Sequence, residues 1–163
     1  MQIIDSALDP VEYQQVRSAL DRSWLRSARS WRDNRRVWPA DLIEGFTGSV
    51  LVAAVNGAAA AIVRAAVNRY RPIRAASRVS VQYTAWLQDS GILVHRDSRY
   101  QFSATLYMNE DWTEEQGGIF LYSADQRVLP RANRLIINDS QEFHQVTRVC
   151  SDQPRFTVQI WVH

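Results

Sequence analysis

The chain has 163 residues, 46% hydrophobic and 22% charged, enough for one domain with a full core and too few for two ordinary ones. All nineteen basic residues are arginine, and with seventeen acids the net charge is only +2, too small by itself to argue for a nucleic-acid partner. The single cysteine, Cys150, excludes an intramolecular disulfide and fits a reducing cytoplasm.

Taken in chain order, the start MQIIDSALDP lacks the basic-then-apolar order of a secretory signal. Asp9 then reads as a helix N-cap with Pro10 at the first helical position, and apolar residues recur at Val16, Leu20, Trp24 and Ala28. RRVWPADLIEGF reads as a loop running into a short helix after Pro39. The stretch from about Ser49 to Val67 predicts a long alanine-rich helix with Gly57 as a weak point. It is also the most membrane-like segment, but Asn56, Gly57 and Arg64 interrupt it and alanine is only weakly hydrophobic, so no bilayer span is expected. Residues 1–78 hold twelve arginines against seven acids, and residues 79–163 hold seven against ten. A basic first half suits either an anionic partner or a solvated helical surface.

After Arg78 the segments become short and β-rich: RVSVQYTAWL, GILVHRD, YQFSATLYMN, GGIFLYS, RLIIND, EFHQVTRV and RFTVQIWVH, separated by turn signals such as Asp-Ser-Gly and Gly-Gly. Helices followed by about seven strands predict an α+β domain, with the helices on one face of an antiparallel sandwich or barrel. No internal repeat or low-complexity tract divides the chain, so residues 1–163 read as one domain.

The chemistry-bearing residues lie in the β-rich half. His95 and Asp97 stand two apart, which on a strand puts both on one face. Alone, such a pair is as easily a solvated edge-strand pair or a histidine satisfied by a neighbouring acid. His144 lies in a second strand-like segment, and the only other histidine is His163. Two imidazoles and one carboxylate are the donor set of non-haem Fe(II) oxygenases, which need them to converge from different strands. Arg155 and Thr157 share a face of the last strand. Arg155 there is either a surface residue of an edge strand or, if it faces inward, a planar fork for a carboxylate.

The order HRD, His144, Arg155-Phe-Thr157 resembles the Fe(II)- and 2-oxoglutarate-dependent dioxygenases, and in detail their prolyl 4-hydroxylase-like branch. The resemblance runs from about Val79 to Val162 and takes in LYMNEDW, GGIFLY, LPRANRLIIND, FHQV and RFTVQIWV. The segment LYxNxxW…GG between the ligand candidates is its most specific part. The resemblance implies a double-stranded β-helix (jelly-roll) core with the N-terminal helices packed on the major sheet. It implies Fe(II) bound by His95, Asp97 and His144, with O2 and 2-oxoglutarate as co-substrates and ascorbate as a supporting reductant. Arg155 would hold the distal carboxylate of 2-oxoglutarate, assisted by Tyr107 and Thr157. Trp161 matches a substrate-side aromatic and suits core packing equally well. Tyr83 precedes the HxD strand as a tyrosine does in the family, although TAWLQDSGI replaces the family's short loop. Gly117 and Gly118 are expected to form a bulge or tight turn.

The implied activity is hydroxylation of an unactivated C–H bond, most directly of a prolyl or other amino-acid side chain, with release of succinate and CO2. A free amino acid or small natural-product intermediate is the alternative substrate, and a non-catalytic jelly-roll binding module is the alternative function. Halogenating members have Gly or Ala where Asp97 stands. Members acting on alkylated nucleic acid add a second arginine six residues after the first, where this chain has Trp161. The expected partner is therefore a small molecule or peptide, with neither nucleic acid nor membrane. The sequence leaves the oligomeric state open.

Overall fold

The computed structural model describes residues 1–26, 30–34, 38–55, 57–123 and 126–163. The first helix, α1 (Pro10–Arg26), forms where expected. Asp9 Oδ1 accepts from the Glu12 amide at 2.8 Å while Glu12 Oε2 accepts from the Asp9 amide at 3.1 Å, a reciprocal capping box. Val16 and Leu20 are fully buried and Trp24 half-buried, so the anticipated stripe faces the core. Ala28 lies outside the described residues. The turn after Pro39 is a short 3-10 helix, Ala40–Ile43.

The stretch 49–67 departs from the single helix expected of it. Val50–Ala54 is a strand, and α2 runs only over Gly57–Tyr70. Gly57 opens α2 at φ +54°, a backbone state that glycine adopts cheaply and that ends regular structure before it. Upstream of that break Val50, Leu51 and Val52 are β-formers, and they pair antiparallel with Trp86, Ala85 and Thr84. Tertiary pairing overrides the helical bias of the alanines that follow.

Eleven strands are present among the described residues: β1 (Gln2–Ile4), β2 (Arg32–Asp33), β3 (Val50–Ala54), β4 (Val79–Trp86), β5 (Ile92–His95), β6 (Phe102–Tyr107), β7 (Phe120–Tyr122), β8 (Gln126–Val128), β9 (Leu135–Asp139), β10 (His144–Val146) and β11 (Arg155–Val162). The seven anticipated segments all form strands; β1, β2, β3 and β8 are additional. Thus residues 1–78 are more than helical support, because three of their segments join the larger sheet. That sheet has the order β1-β9-β6-β11-β4-β3-β2, and the smaller sheet β5-β10-β7-β8, all pairs antiparallel.

The outer face of the larger sheet is apolar. Val158, Ile160 and Val162 of β11, with Tyr83, Ala85, Ala104 and Leu106 beside them, pack against Val16 and Leu20 of α1 and Val63 and Val67 of α2. A second cluster lies inside the sandwich, with Trp86, Tyr107 and Ile136 of the larger sheet meeting Phe120 and Val146 of the smaller. No described helix is long and apolar enough to cross a membrane. The register places β11 between β4 and β6, at the centre of the larger sheet, so its inner face forms the floor of whatever the sandwich encloses.

Candidate active site

Between the two sheets lies a cleft of about 950 Å³. Its floor follows from strand parity. On β11 the odd-numbered residues face inward, and the register sets Thr157 between Thr84 and Tyr107, Gln159 between Gln82 and Thr105, and Trp161 between Ser80 and Ser103. The even-numbered partners, Val158, Ile160 and Val162, belong to the core against the helices. The inner face of these three strands therefore carries hydrogen-bonding side chains where an ordinary sandwich is apolar.

The opposite wall brings the histidines together. His95 ends β5 and His144 begins β10, and the two are direct register partners. Their ring centroids are 4.3 Å apart. Asp97 lies just beyond the end of β5, and its Oδ2 is 3.8 Å from His144 Nε2. One ligand-type atom from each of His95, Asp97 and His144 falls within 4.8 Å of the others, a convergence from two strands. The Nδ1 atoms are committed elsewhere: His95 Nδ1 lies 2.8 Å from the Leu93 carbonyl and His144 Nδ1 3.0 Å from that of Glu142. A carbonyl only accepts, so His95 Nδ1 carries the proton and its Nε2 presents the lone pair; His144 Nδ1 stands between the Glu142 carbonyl and the Asn138 side-chain amide, 3.0 Å from each, which leaves its Nε2 toward Asp97. Burial beside Phe120, whose ring stacks on His144 at 5.1 Å, pushes the His144 pKa down, and the neighbouring His95 adds to this. Both effects favour the neutral imidazole that metal ligation requires.

Arg155 stands at the start of β11 and is 1% exposed. The expectation of an edge-strand surface arginine is thereby excluded. Its guanidinium lies 5.0 Å from the Tyr107 ring centroid and 5.4 Å from that of Trp86. Among the described residues no carboxylate pairs with it, and its Nε and the Tyr107 hydroxyl are buried without hydrogen-bond partners. Burial lowers the Arg155 pKa and raises that of Tyr107. Tyr107 is thus a neutral hydroxyl donor, and guanidinium retains its charge even when buried. A buried guanidinium whose Nε finds no partner, beside a buried hydroxyl within its electrostatic reach, fits an anionic guest.

The other expected residues divide. Trp161 lines the cleft, 5.9 Å from Tyr100. Thr157 is fully buried and its hydroxyl bonds that of Thr84, which reaches the cleft surface in its place. Tyr83 does not join the site. It pairs with Val158 on the outer face and stacks on Trp31 at 6.4 Å, and its hydroxyl, pushed up to about 12 by burial, points into the core beneath the helices. Parity is the reason, since Gln82 and Thr84 occupy the inward positions.

Three further residues gain roles that their spacing alone does not reveal. Asn109 grips the chain on both sides of Arg155, accepting from the Phe156 amide at 2.5 Å and donating to the Pro154 carbonyl at 2.9 Å. Trp112 donates to the Gly117 carbonyl at 2.9 Å, anchoring the turn that carries Gly118. Gly118, at φ +63°, lies against the arginine: a Cβ there would sit 2.5 Å from Arg155 Cδ. The LYxNxxW…GG segment is in this way a cradle for one guanidinium. Gly118→Ala is expected to displace Arg155 and, with Arg155 in its expected role toward the distal carboxylate of 2-oxoglutarate, to weaken binding of that molecule by about tenfold or more, with Fe(II) affinity retained; an unchanged titration midpoint for 2-oxoglutarate would refute the cradle in that role.

Two packed antiparallel sheets of this strand order, with two imidazoles and a carboxylate on one wall and a buried arginine in the other, define a double-stranded β-helix of the metal-dependent oxygenase type. A sequence model of the 2OG-Fe(II) oxygenase superfamily matches residues 79–163, and the chain belongs to that superfamily. It is accordingly a dioxygenase that uses Fe(II), 2-oxoglutarate and O2. No curated protein matches the sequence. Among solved structures, the chain is similar to a prolyl-4-hydroxylase from Pseudomonas putida (TM-score 0.72, 17% identity, covering 99% of this chain and 91% of that one). It is also similar to a Trichoplax adhaerens prolyl hydroxylase in complex with a hypoxia inducible factor oxygen degradation domain peptide fragment (0.76, 15%, 99% and 82%). A third is the non-heme alpha ketoglutarate dependent epimerase SnoN from nogalamycin biosynthesis (0.68, 12%, 99% and 76%). At these identities the likeness concerns the fold.

Proposed function

We propose that residues 1–163 act as one dioxygenase domain that hydroxylates an unactivated C–H bond, of a prolyl or other amino-acid side chain, with release of succinate and CO2. The observation that carries this is the placement of His95, Asp97 and His144 on the same cleft as a buried arginine that has no carboxylate partner among the described residues. In this reading His95 Nε2, His144 Nε2 and an Asp97 oxygen would hold Fe(II), with each Nδ1 turned away from the site, that of His95 to the Leu93 carbonyl and that of His144 to the Glu142 carbonyl and the Asn138 amide. Arg155 receives the distal carboxylate of 2-oxoglutarate through its planar fork, with the Tyr107 and Thr84 hydroxyls beside it and Thr157 holding Thr84 in place. The bound centre supplies the oxidising chemistry, in which O2 is split between the succinate carboxylate and the new hydroxyl. Trp86, Phe120 and Ile136 wall that arm of the cleft and keep water from it.

Asp97 is the residue that directs the outcome to hydroxylation, because a carboxylate occupies the position that halogenating members leave open. The lone cysteine, with no partner in the chain, supports a cytoplasmic setting. The test is reconstitution with Fe(II) and ascorbate, followed by measurement of 2-oxoglutarate-dependent succinate with and without proline-containing peptides and free amino acids. Succinate that rises with a substrate and matches its hydroxylated product supports the reading. A protein that binds Fe(II) yet never consumes 2-oxoglutarate overturns it.

A further inference from the structure

The cleft has a second arm that the co-substrate reading leaves unexplained. Beyond the triad its floor is formed by Gln82, Ser80, Ser103, Thr105 and Gln159, five polar side chains on the inner face of the central strands. Ser103 and Thr105 are buried, and the Thr105 hydroxyl bonds the Gln159 amide at 2.7 Å. The Ser80 hydroxyl meets His163 Nε2 at 3.0 Å, so among the described residues the Gln82 amide and the Gln159 amide nitrogen are floor groups left to hydrogen-bond a guest.

The rim of the same arm is charged in one sense only. Arg96 and Arg99, in the loop that follows His95, line the cleft, and among the described residues Asp97 is the only acidic side chain that does. Asp97 is committed to the triad. Arg96 stacks its guanidinium over the Phe143 ring at 4.8 Å. Arg99 has no hydrogen bond or ion pair among the described residues and stands beside Tyr100, which packs against Trp161. A polar floor under a cationic rim, with an aromatic pair at one side, selects for a small polar anion.

We propose that this arm binds a small polar molecule bearing a carboxylate, paired by Arg99 and hydrogen-bonded by Gln82 and Gln159, in preference to a neutral peptide segment. The proposal rests on the dioxygenase reading above. An anaerobic titration of the Fe(II) protein with 2-oxoglutarate first records the visible metal-to-ligand band; its absence would fail that reading rather than this proposal. With the band in place, the twenty common L-amino acids, their α-carboxamides and an acetylated, amidated prolyl tripeptide are each titrated. The readouts are perturbation of the band and the shift in thermal midpoint. At least one free acid is expected to bind about tenfold or more tighter than its own amide. Arg99→Gln should remove that preference and Arg99→Lys should keep part of it, while 2-oxoglutarate affinity stays at the wild-type value. Binding of an amide or of the capped peptide as tightly as any acid overturns the proposal. So does a panel in which no acid binds, or an acid preference that survives Arg99→Gln.

Discussion

His144→Ala is expected to lower Fe(II) affinity by more than about a hundredfold and to leave no measurable succinate formation. Loss of a group that merely orients a metal ligand costs about 10–100-fold in affinity, and His144→Ala would remove one of the three proposed donors itself. The remaining pair, His95 and Asp97, comes from one strand end and cannot surround an ion. Because His144 is buried under Phe120, its truncation also leaves a small cavity, so stability must be separated from ligation. His95→Ala serves that purpose. His95 is half-buried and its ring lies at the cleft, so the fold should tolerate its loss while Fe(II) binding falls by a similar factor. The measurement is Fe(II) binding by calorimetry under anaerobic conditions, with circular dichroism confirming the fold. Wild-type turnover by either variant would dismantle the triad.

The N-cap at Asp9 and the helix after it were legible because both signals are local. So were the seven β-rich segments after Arg78, whose turn residues mark their ends. Residues 49–55 were misread because Val-Leu-Val-Ala-Ala suits a strand or a helix, and only pairing with β4 decides between them. The three-residue strands β1 and β8 carry too little pattern to be found before their partners are known.

In the site, His95, Asp97, His144 and Arg155 were legible from the resemblance, and Arg155 could have been placed by parity as well. Along β11 the even positions, Phe156, Val158, Ile160 and Val162, are all apolar, which commits the odd ones to the other face. The same rule applied to VSVQYTAW assigns Val79, Val81, Tyr83 and Ala85 to one face and Ser80, Gln82, Thr84 and Trp86 to the other. It would have exchanged Tyr83 for Thr84. Gly118 was legible as a backbone special but not as a neighbour of Arg155, because that contact joins residues 37 positions apart in the sequence.

Arg155 supports a prediction in which stability and binding move in opposite directions. A buried cation without a carboxylate partner among the described residues weighs against the free fold, since even a complete buried ion pair is often replaced by apolar side chains of similar volume with a neutral effect or a gain of about 1–4 kcal/mol. Arg155→Met is therefore expected to melt at or above the wild-type temperature when 2-oxoglutarate is absent. The order should reverse on adding the co-substrate. Binding to the native state stabilises the wild type by about 2.7 kcal/mol at a ligand concentration of 100 Kd, and the variant would lack the charge-assisted bonds proposed to produce this binding. Hydrogen bonds to charged groups are worth roughly 1.5–3 kcal/mol, so its affinity for 2-oxoglutarate should fall about ten- to more than a hundredfold. Arg155→Lys should lose less, keeping the charge without the planar fork, and Tyr107→Phe less again, since it removes one neutral donor. Fe(II) affinity should hardly change in any of the three, because neither residue is among the ligand-type atoms on the opposite wall. Thermal melts with and without 2-oxoglutarate, beside the anaerobic titration of the Fe(II) protein, read both halves of the prediction. A 2-oxoglutarate-induced rise in Arg155→Met equal to that of the wild type would show that the buried guanidinium serves something other than the co-substrate.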